Sequence, residues 1–197
     1  MSPAVFLGAA RYRRPSYGSN HPLGIPRVSL TVDLLRAFGA LPESEYRESR
    51  PAADYELAWF HTSDYLRAAR RIEAAERASA DDRKRWNLGN FENPAFKGFY
   101  ATAALATGAS IQAAEAVINE GRIGFNPAGG MHHAAPDQAR GFCYFNDPVL
   151  GILRLRQAGW RVRYVDLDAH HGDGVENAFA DDPNVLTLSL HMATDQA

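Results

Sequence analysis

The stretch Tyr164 to Gly174, reading YVDLDAHHGDG, brings Asp166, Asp168, His170, His171 and Asp173 into one short segment. The run Val162 to Leu167 that leads into it predicts a strand. Successive side chains of a strand point to opposite faces, so Asp166, Asp168 and His170 share a face for as long as the strand persists. Two carboxylates and an imidazole at a buried strand end are costly unless a cation or a proton network compensates them. Carboxylate oxygen and imidazole nitrogen both suit zinc, so the spacing points to a metal site.

A second stretch has related chemistry. His132 and His133 follow the pair Gly129-Gly130, and glycines let two adjacent imidazoles sit close to other backbone in a cleft. A neutral imidazole binds metal or acts as a general base, and a carboxylate partner tunes it. Asp166 and Asp173 are the candidate partners. Alone, a His-His pair in a loop is as readily structural or on the surface; its weight comes from the second cluster.

The elements that must position these groups follow from periodicity. Val5 to Leu7 predicts a short first strand, and Arg11 to Pro26 a loop. Val28, Leu30, Leu34, Leu35 and Phe38 form an apolar stripe on a helix that starts near Arg27 and ends at Gly39. Pro42 to Pro51 is a charged connector. Ala53 to Phe60 is a short helix, and Ser63 caps a longer one with Tyr65, Leu66, Ala69 and Ile72 inward. Asp81 to Arg85 is a solvated face or loop, and Trp86 to Pro94 a loop. Gly98 to Asn119 is an alanine-rich, closely packed helix ending at Gly121. Ile123 to Asn126 is a short buried strand. Asn146 or Asp147 caps a helix with Pro148 at its first position and Gly159 beyond its end. The strand Val162 to Leu167, a short helix Gly174 to Phe179 and the strand Val185 to Leu190 complete the order. Alternating strands and helices imply an α/β domain, a parallel sheet covered on both faces. Sites in such sheets form at the carboxyl ends of strands, where both histidine segments fall.

Bulk properties narrow the partners. With 197 residues, 46% hydrophobic and 22% charged, the chain suits one domain and argues against disorder. The net charge of −2 points to neither nucleic acid nor an anionic membrane, and leaves a basic substrate open. A single cysteine, Cys143, rules out an internal disulfide and reads as a buried small residue rather than a nucleophile. No apolar run is expected to approach the ~20 residues that span a bilayer. The N-terminal charges follow the apolar piece instead of preceding it, the wrong order for a signal peptide. A cytoplasmic protein is expected.

Taken in order, GGMHHA, GFCYFND and YVDLDAHHGDG resemble the zinc-dependent histone deacetylase family, in particular its acetoin-utilisation and acetylpolyamine-amidohydrolase branch. HPLGIPR, FHTSDYL, LGNFENPAFKG and SLH (189–191) have counterparts there too. The resemblance implies an arginase/deacetylase-type fold, three layers with a parallel sheet flanked by helices, of which residues 1–197 form one domain truncated at its C-terminal side. It implies that Asp168 and His170 are zinc ligands. His133 would be the general base and later acid, and His132 would assist electrostatically. Asp166 would orient His132, and Asp173 would orient His133. Phe142 and Gly141 would line the acyl-lysine tunnel. Glu92 would stand where the family usually grips the substrate backbone with the shorter aspartate. Arg27 would line an inner cavity. A structural potassium ion would use carbonyls around Asp166, Asp168, His170 and Leu190, with Ser189. The implied reaction is hydrolysis of an acetyl-lysine or small acetylated-amine amide: zinc polarises the carbonyl and acidifies its water, and His133 takes and returns the proton.

Residue chemistry alone leaves plainer roles open. Phe142, Tyr144 and Phe145 serve equally as core, and His21, His61 and His191 as hydrogen-bonded structural histidines. The resemblance also leaves a gap. The family's third zinc ligand, an aspartate, and its oxyanion-stabilising tyrosine have no counterpart here, since Asp195 lies in a different context. Three readings follow. The chain is a fragment of a longer product, the favoured reading. Or it pairs with itself or a second chain that covers the open sheet edge. Or it is a non-catalytic acyl-ligand-binding or scaffold protein derived from the deacetylase fold.

Overall fold

The computed structural model of the chain describes residues 4–14, 17 and 21–193. Five strands are β1 (Ala4–Gly8), β2 (Tyr46–Glu48), β3 (Ile123–Phe125), β4 (Val162–Asp166) and β5 (Val185–Ser189). Seven helices accompany them: α1 (Arg27–Ala37), α2 (Asp54–Leu57), α3 (Ser63–Ala75), α4 (Ala80–Trp86), α5 (Phe99–Glu120), α6 (Asp147–Gln157) and α7 (Asp173–Phe179). Among the described residues these strands pair only in parallel, as the alternation of elements requires. The single expected sheet is divided in two among the described residues: β2-β1-β3 and β4-β5. Register pairs Phe6 with Tyr46, Val5 with Gly124, and Asp166 with Ser189.

The main core lies between the helices. Leu57, Tyr65, Leu66, Ile72, Leu88, Phe99, Ile111, Phe145 and Leu150 close on one another. A second cluster joins Val149 and Ile152 of α6 to Val175 and Phe179 of α7 and to Val185. α5 is the spine, with its small residues allowing close approach. A Cβ on Gly108 would collide with the Arg50 carbonyl and come within 2.5 Å of the Ala52 nitrogen, where Ala52 N–H donates to the Ala104 carbonyl at 2.8 Å. This helix corrects one expectation. Its 22 residues are long and apolar enough to cross a bilayer by length and composition, yet half of that window is buried inside the domain.

Several sequence expectations shift by local chemistry. Thr62, not Ser63, caps α3, its hydroxyl accepting from Tyr65 N–H at 3.3 Å. Asp81 to Arg85 is the solvated face of α4 rather than a loop, with Asp82 alone buried. Ser79 and Asp82 form a reciprocal cap, and the buried Asp82 pairs with Arg71 at 2.5 Å. The charged connector hides β2, an edge strand too short and polar to signal itself by alternation. α1 turns Ser29 and Val32 inward, whereas Leu30, Leu34 and Phe38 of the anticipated stripe are exposed. β3 is not buried: Ile123 and Phe125 are exposed. The expected cover on both faces of β4-β5 also fails, because α6 and α7 pack on the face carrying Val162, Tyr164 and Val185, leaving Val165, Leu186 and Leu188 exposed. Asp195 lies outside the described residues.

Candidate active site

β4 ends at Asp166, so the strand argument holds for Asp166 alone, and the backbone turns immediately after it. Asp166 Oδ1 accepts from Asp168 N–H at 3.0 Å, and Asp168 Oδ1 accepts from His170 N–H at 2.8 Å. These successive side-chain turns curl Asp168 and His170 outward, both more than half exposed. Asp166 stays buried.

The loop from Gly129 meets this turn, as their places after β3 and β4 predict. His132 Nδ1 lies 2.7 Å from Asp166 Oδ2, and His133 Nδ1 lies 2.7 Å from Asp173 Oδ1 at the start of α7. A carboxylate accepts only, so each Nδ1 carries a proton, and in the neutral form of each ring Nε2 is the nitrogen that presents a lone pair. The two rings lie 4.0 Å apart between centroids, and His133 lies 6.0 Å from the His170 ring. His132 Nε2 stands 3.9 Å from Asp168 Oδ1. Burial pushes the Asp166 carboxyl upward, but the Tyr164 hydroxyl, donating at 2.5 Å, and His132 outweigh it, so Asp166 is held below the usual carboxylate range. Tyr164 is a partner the sequence reading passed over; its place two residues before Asp166 on the same strand face was the available signal.

Gly141 and Phe142, the residues expected to line a tunnel, form a tight turn. Gly141 and Phe142 are both left-handed, with φ of 52° and 68°. At Gly141 a side chain is excluded twice, by that φ and because a Cβ would fall on the His133 ring. Gly141 N–H donates to Glu92 Oε1 at 2.5 Å, and Tyr17 Oη donates to the Phe142 carbonyl at 3.1 Å. Glu92 is thus turned inward, its other oxygen accepting from Asn87 Nδ2 at 3.2 Å. The Phe142 ring packs edge-on against His21 at 4.6 Å. Arg27 lines a cavity of about 90 Å³ with Arg11, Tyr12, Tyr17, Met131 and Tyr144.

Tyr144 and Phe145 are core, and His21 and His61 are buried and hydrogen-bonded; His191 is also hydrogen-bonded, to Ser189 Oγ at 2.9 Å, but exposed. Burial pushes the Cys143 thiol up to about 12, so it is no nucleophile at neutral pH.

Asp168 Oδ1 and His170 Nδ1 lie 2.8 Å apart, a carboxylate–imidazole pair that suits zinc. Among the described residues no group of three or more His, Cys, Asp or Glu is placed to hold a metal. Around the suggested potassium position, the Asp166 carbonyl accepts from Leu190 N–H at 3.0 Å, and Ser189 Oγ accepts from Gly172 N–H at 3.2 Å.

The histone deacetylase domain family matches residues 21–197. The chain belongs to the histone deacetylase family. It is 43% identical over 167 residues to histone deacetylase 8 of Xenopus tropicalis, covering 84% of this chain and 45% of that protein. It is 35% identical over 193 residues to the acetoin utilization protein AcuC of Bacillus subtilis, covering 97% and 50%. The crystal structure of a histone deacetylase homologue from Aquifex aeolicus superposes with a TM-score of 0.94 at 42% identity, covering all of this chain and 53% of that one. A homologue solved with SAHA superposes equally well. These matches show the arginase/deacetylase fold expected from the motifs, with a parallel sheet and flanking helices. This deacetylase-family chain spans about half the length of the relatives it matches.

Proposed function

We propose that this chain carries the proton-transfer apparatus and two of the zinc ligands of a deacetylase that hydrolyses the amide of acetyl-lysine or of a small acetylated amine. The observation that carries the reading is the pair of His–Asp dyads, each closed at 2.7 Å, set beside Asp168 and His170. Catalytic zinc takes three protein ligands and keeps an open position. Asp168 and His170 would be two of the three, with the third coming from beyond the described residues. Bound there, zinc would polarise the acyl oxygen and acidify water.

The rest of the chemistry belongs to this chain. His133 Nε2, its lone pair kept free by Asp173, takes the proton of the attacking water and returns it to the departing amine. His132 Nε2, fixed by Asp166, steadies the charge that develops beside it. Phe142 and Gly141 form the wall along the acyl-lysine stem, with Glu92 behind that wall. The SAHA complex of the structural relative fits an acyl-lysine type of ligand. Main-chain oxygens around Asp166, Asp168, His170 and Leu190, with Ser189, would hold potassium under the ligand turn. The exposed Val165, Leu186 and Leu188 mark where further polypeptide, continuous or from a second chain, would cover the sheet.

The test is zinc content together with turnover of an acetyl-lysine peptide. Stoichiometric zinc, lost in His170→Ala, and turnover abolished by His133→Ala support the proposal. A protein completed with the third ligand, by continuation of the chain or by a second chain, that folds yet stays zinc-free and without turnover refutes it in favour of a binding or scaffold role.

A further inference from the structure

Asn146 and Asp147 close the GFCYFND motif and by local spacing are candidates for a helix cap. In the structure they are both buried, and three of their four side-chain polar atoms reach away from the helix to the histidine loop. Asp147 Oδ1 accepts from Met131 N–H at 2.8 Å, and Oδ2 accepts from Gly130 N–H at 3.2 Å and from the Ser110 hydroxyl of α5. Asn146 Nδ2 donates to the His132 carbonyl at 2.9 Å and to the Ala134 carbonyl at 3.0 Å, while Oδ1 caps α6 through Val149 N–H at 3.2 Å. The loop is therefore gripped by its amides on the N-terminal side of the histidine pair and by its carbonyls across it. The chemistry is selective: only a carboxylate serves two amides and a hydroxyl, and only an amide nitrogen serves two carbonyls while its oxygen caps the helix. α7 closes the other side, where a Cβ on Gly174 would collide with the His132 carbonyl.

We infer that Asn146 and Asp147 are positioning residues that set the height and orientation of His132 and His133, using the rigid start of α6 as their base. The inference rests on the reading of His132 and His133 as the reacting pair, but its geometry does not. A buried carboxylate is expensive to ionise, and burial does push the Asp147 carboxyl upward, against the Ser110 hydroxyl and the two loop amides. Simple capping of α6 calls for none of this, since Asn146 Oδ1 already supplies the cap.

The experiment follows the histidine rings by NMR in the 197-residue chain labelled at histidine, together with amide hydrogen exchange. Asp147→Asn keeps the shape and removes one acceptor. Asn146→Asp turns two donor contacts into repulsions. Both are expected to shift or broaden the His132 and His133 ring signals, leave those of His21, His171 and His191 in place, and speed exchange at Gly130 and Met131 about tenfold or more, a loss near 1.4 kcal/mol of local protection. Ser79→Ala, which removes the α4 cap, is the control: it lowers the melting temperature without moving those signals. If either variant fails to fold, Ser110→Ala, which removes the hydroxyl that donates to Asp147 and accepts from Asn126 Nδ2, is read the same way. Ring signals and exchange no different from those of Ser79→Ala would overturn the inference. Absence of deacetylation would count against the proposed function alone, because neither readout depends on turnover.

Discussion

Acidification should destabilise this protein through a histidine that never touches the active site. His61 is buried among Phe60, Tyr65 and Phe145, with ring separations of 4.9, 5.6 and 5.2 Å. Its Nε2 accepts from Asn146 N–H at 3.1 Å, so the proton sits on Nδ1, 3.3 Å from the Pro136 carbonyl. Protonating Nε2 would set one N–H against another in a dry site. Burial lowers the His61 pKa from 6.5 to about 4, with the Pro136 and Ala135 carbonyls pulling weakly the other way. The unfolded chain takes up a proton below 6.5 that the folded chain refuses until about 4. The contribution is therefore complete above 6.5 and lost as pH falls through that window. A shift of this size is worth about 3 kcal/mol, of which about 2.4 kcal/mol is gone by roughly pH 4.5. For a domain of this size that is a drop in melting temperature of about 5–10 °C. Thermal denaturation of the wild type and of His61→Gln, followed by circular dichroism from about pH 7 to 4.5, isolates the effect, because the titrating carboxylates are common to both. The wild type should lose that much more than the variant. Parallel curves, within about 1 °C, would refute the argument that His61 is buried neutral.

Other outcomes follow from single contacts. Gly141→Ala places a Cβ on the His133 ring in a left-handed residue, so it should cost about 1–3 kcal/mol in stability and displace the His133 ring signal in NMR. Gly108→Ala wedges α5 away from the Arg50–Ala52 segment and should cost about 2 kcal/mol or more by urea denaturation, with exposure of the Ala52 amide to exchange. Tyr65→Phe removes the buried hydroxyl that donates to the Tyr144 carbonyl at 2.8 Å, so it should cost about 1–2 kcal/mol in the same assay without moving the His132 and His133 signals.

What the sequence determined is local and periodic. The order of strands and helices apart from β2 and α4, the cap at Asn146, the inward face of α3 and the ends at Gly121 and Gly159 follow from side-chain spacing and from backbone preference, which act over a few residues. The chemistry proposed for the site also starts there, because the residue types within YVDLDAHHGDG and GGMHH limit what they can do wherever they are placed. The tertiary structure decided what depends on contacts far apart in the chain. It paired His132 with Asp166 across 34 residues and His133 with Asp173 across 40. It turned Asp168 and His170 away from Asp166 once the strand ended. It directed Glu92 inward to Gly141, and carried Asn146 Nδ2 and both Asp147 oxygens to the histidine loop while Asn146 Oδ1 keeps the helix cap. It also left Ile123, Val165 and Leu188 exposed, although apolar spacing alone marks them as core. Burial depends on which surfaces meet, and spacing along the chain specifies only which face is available to meet them.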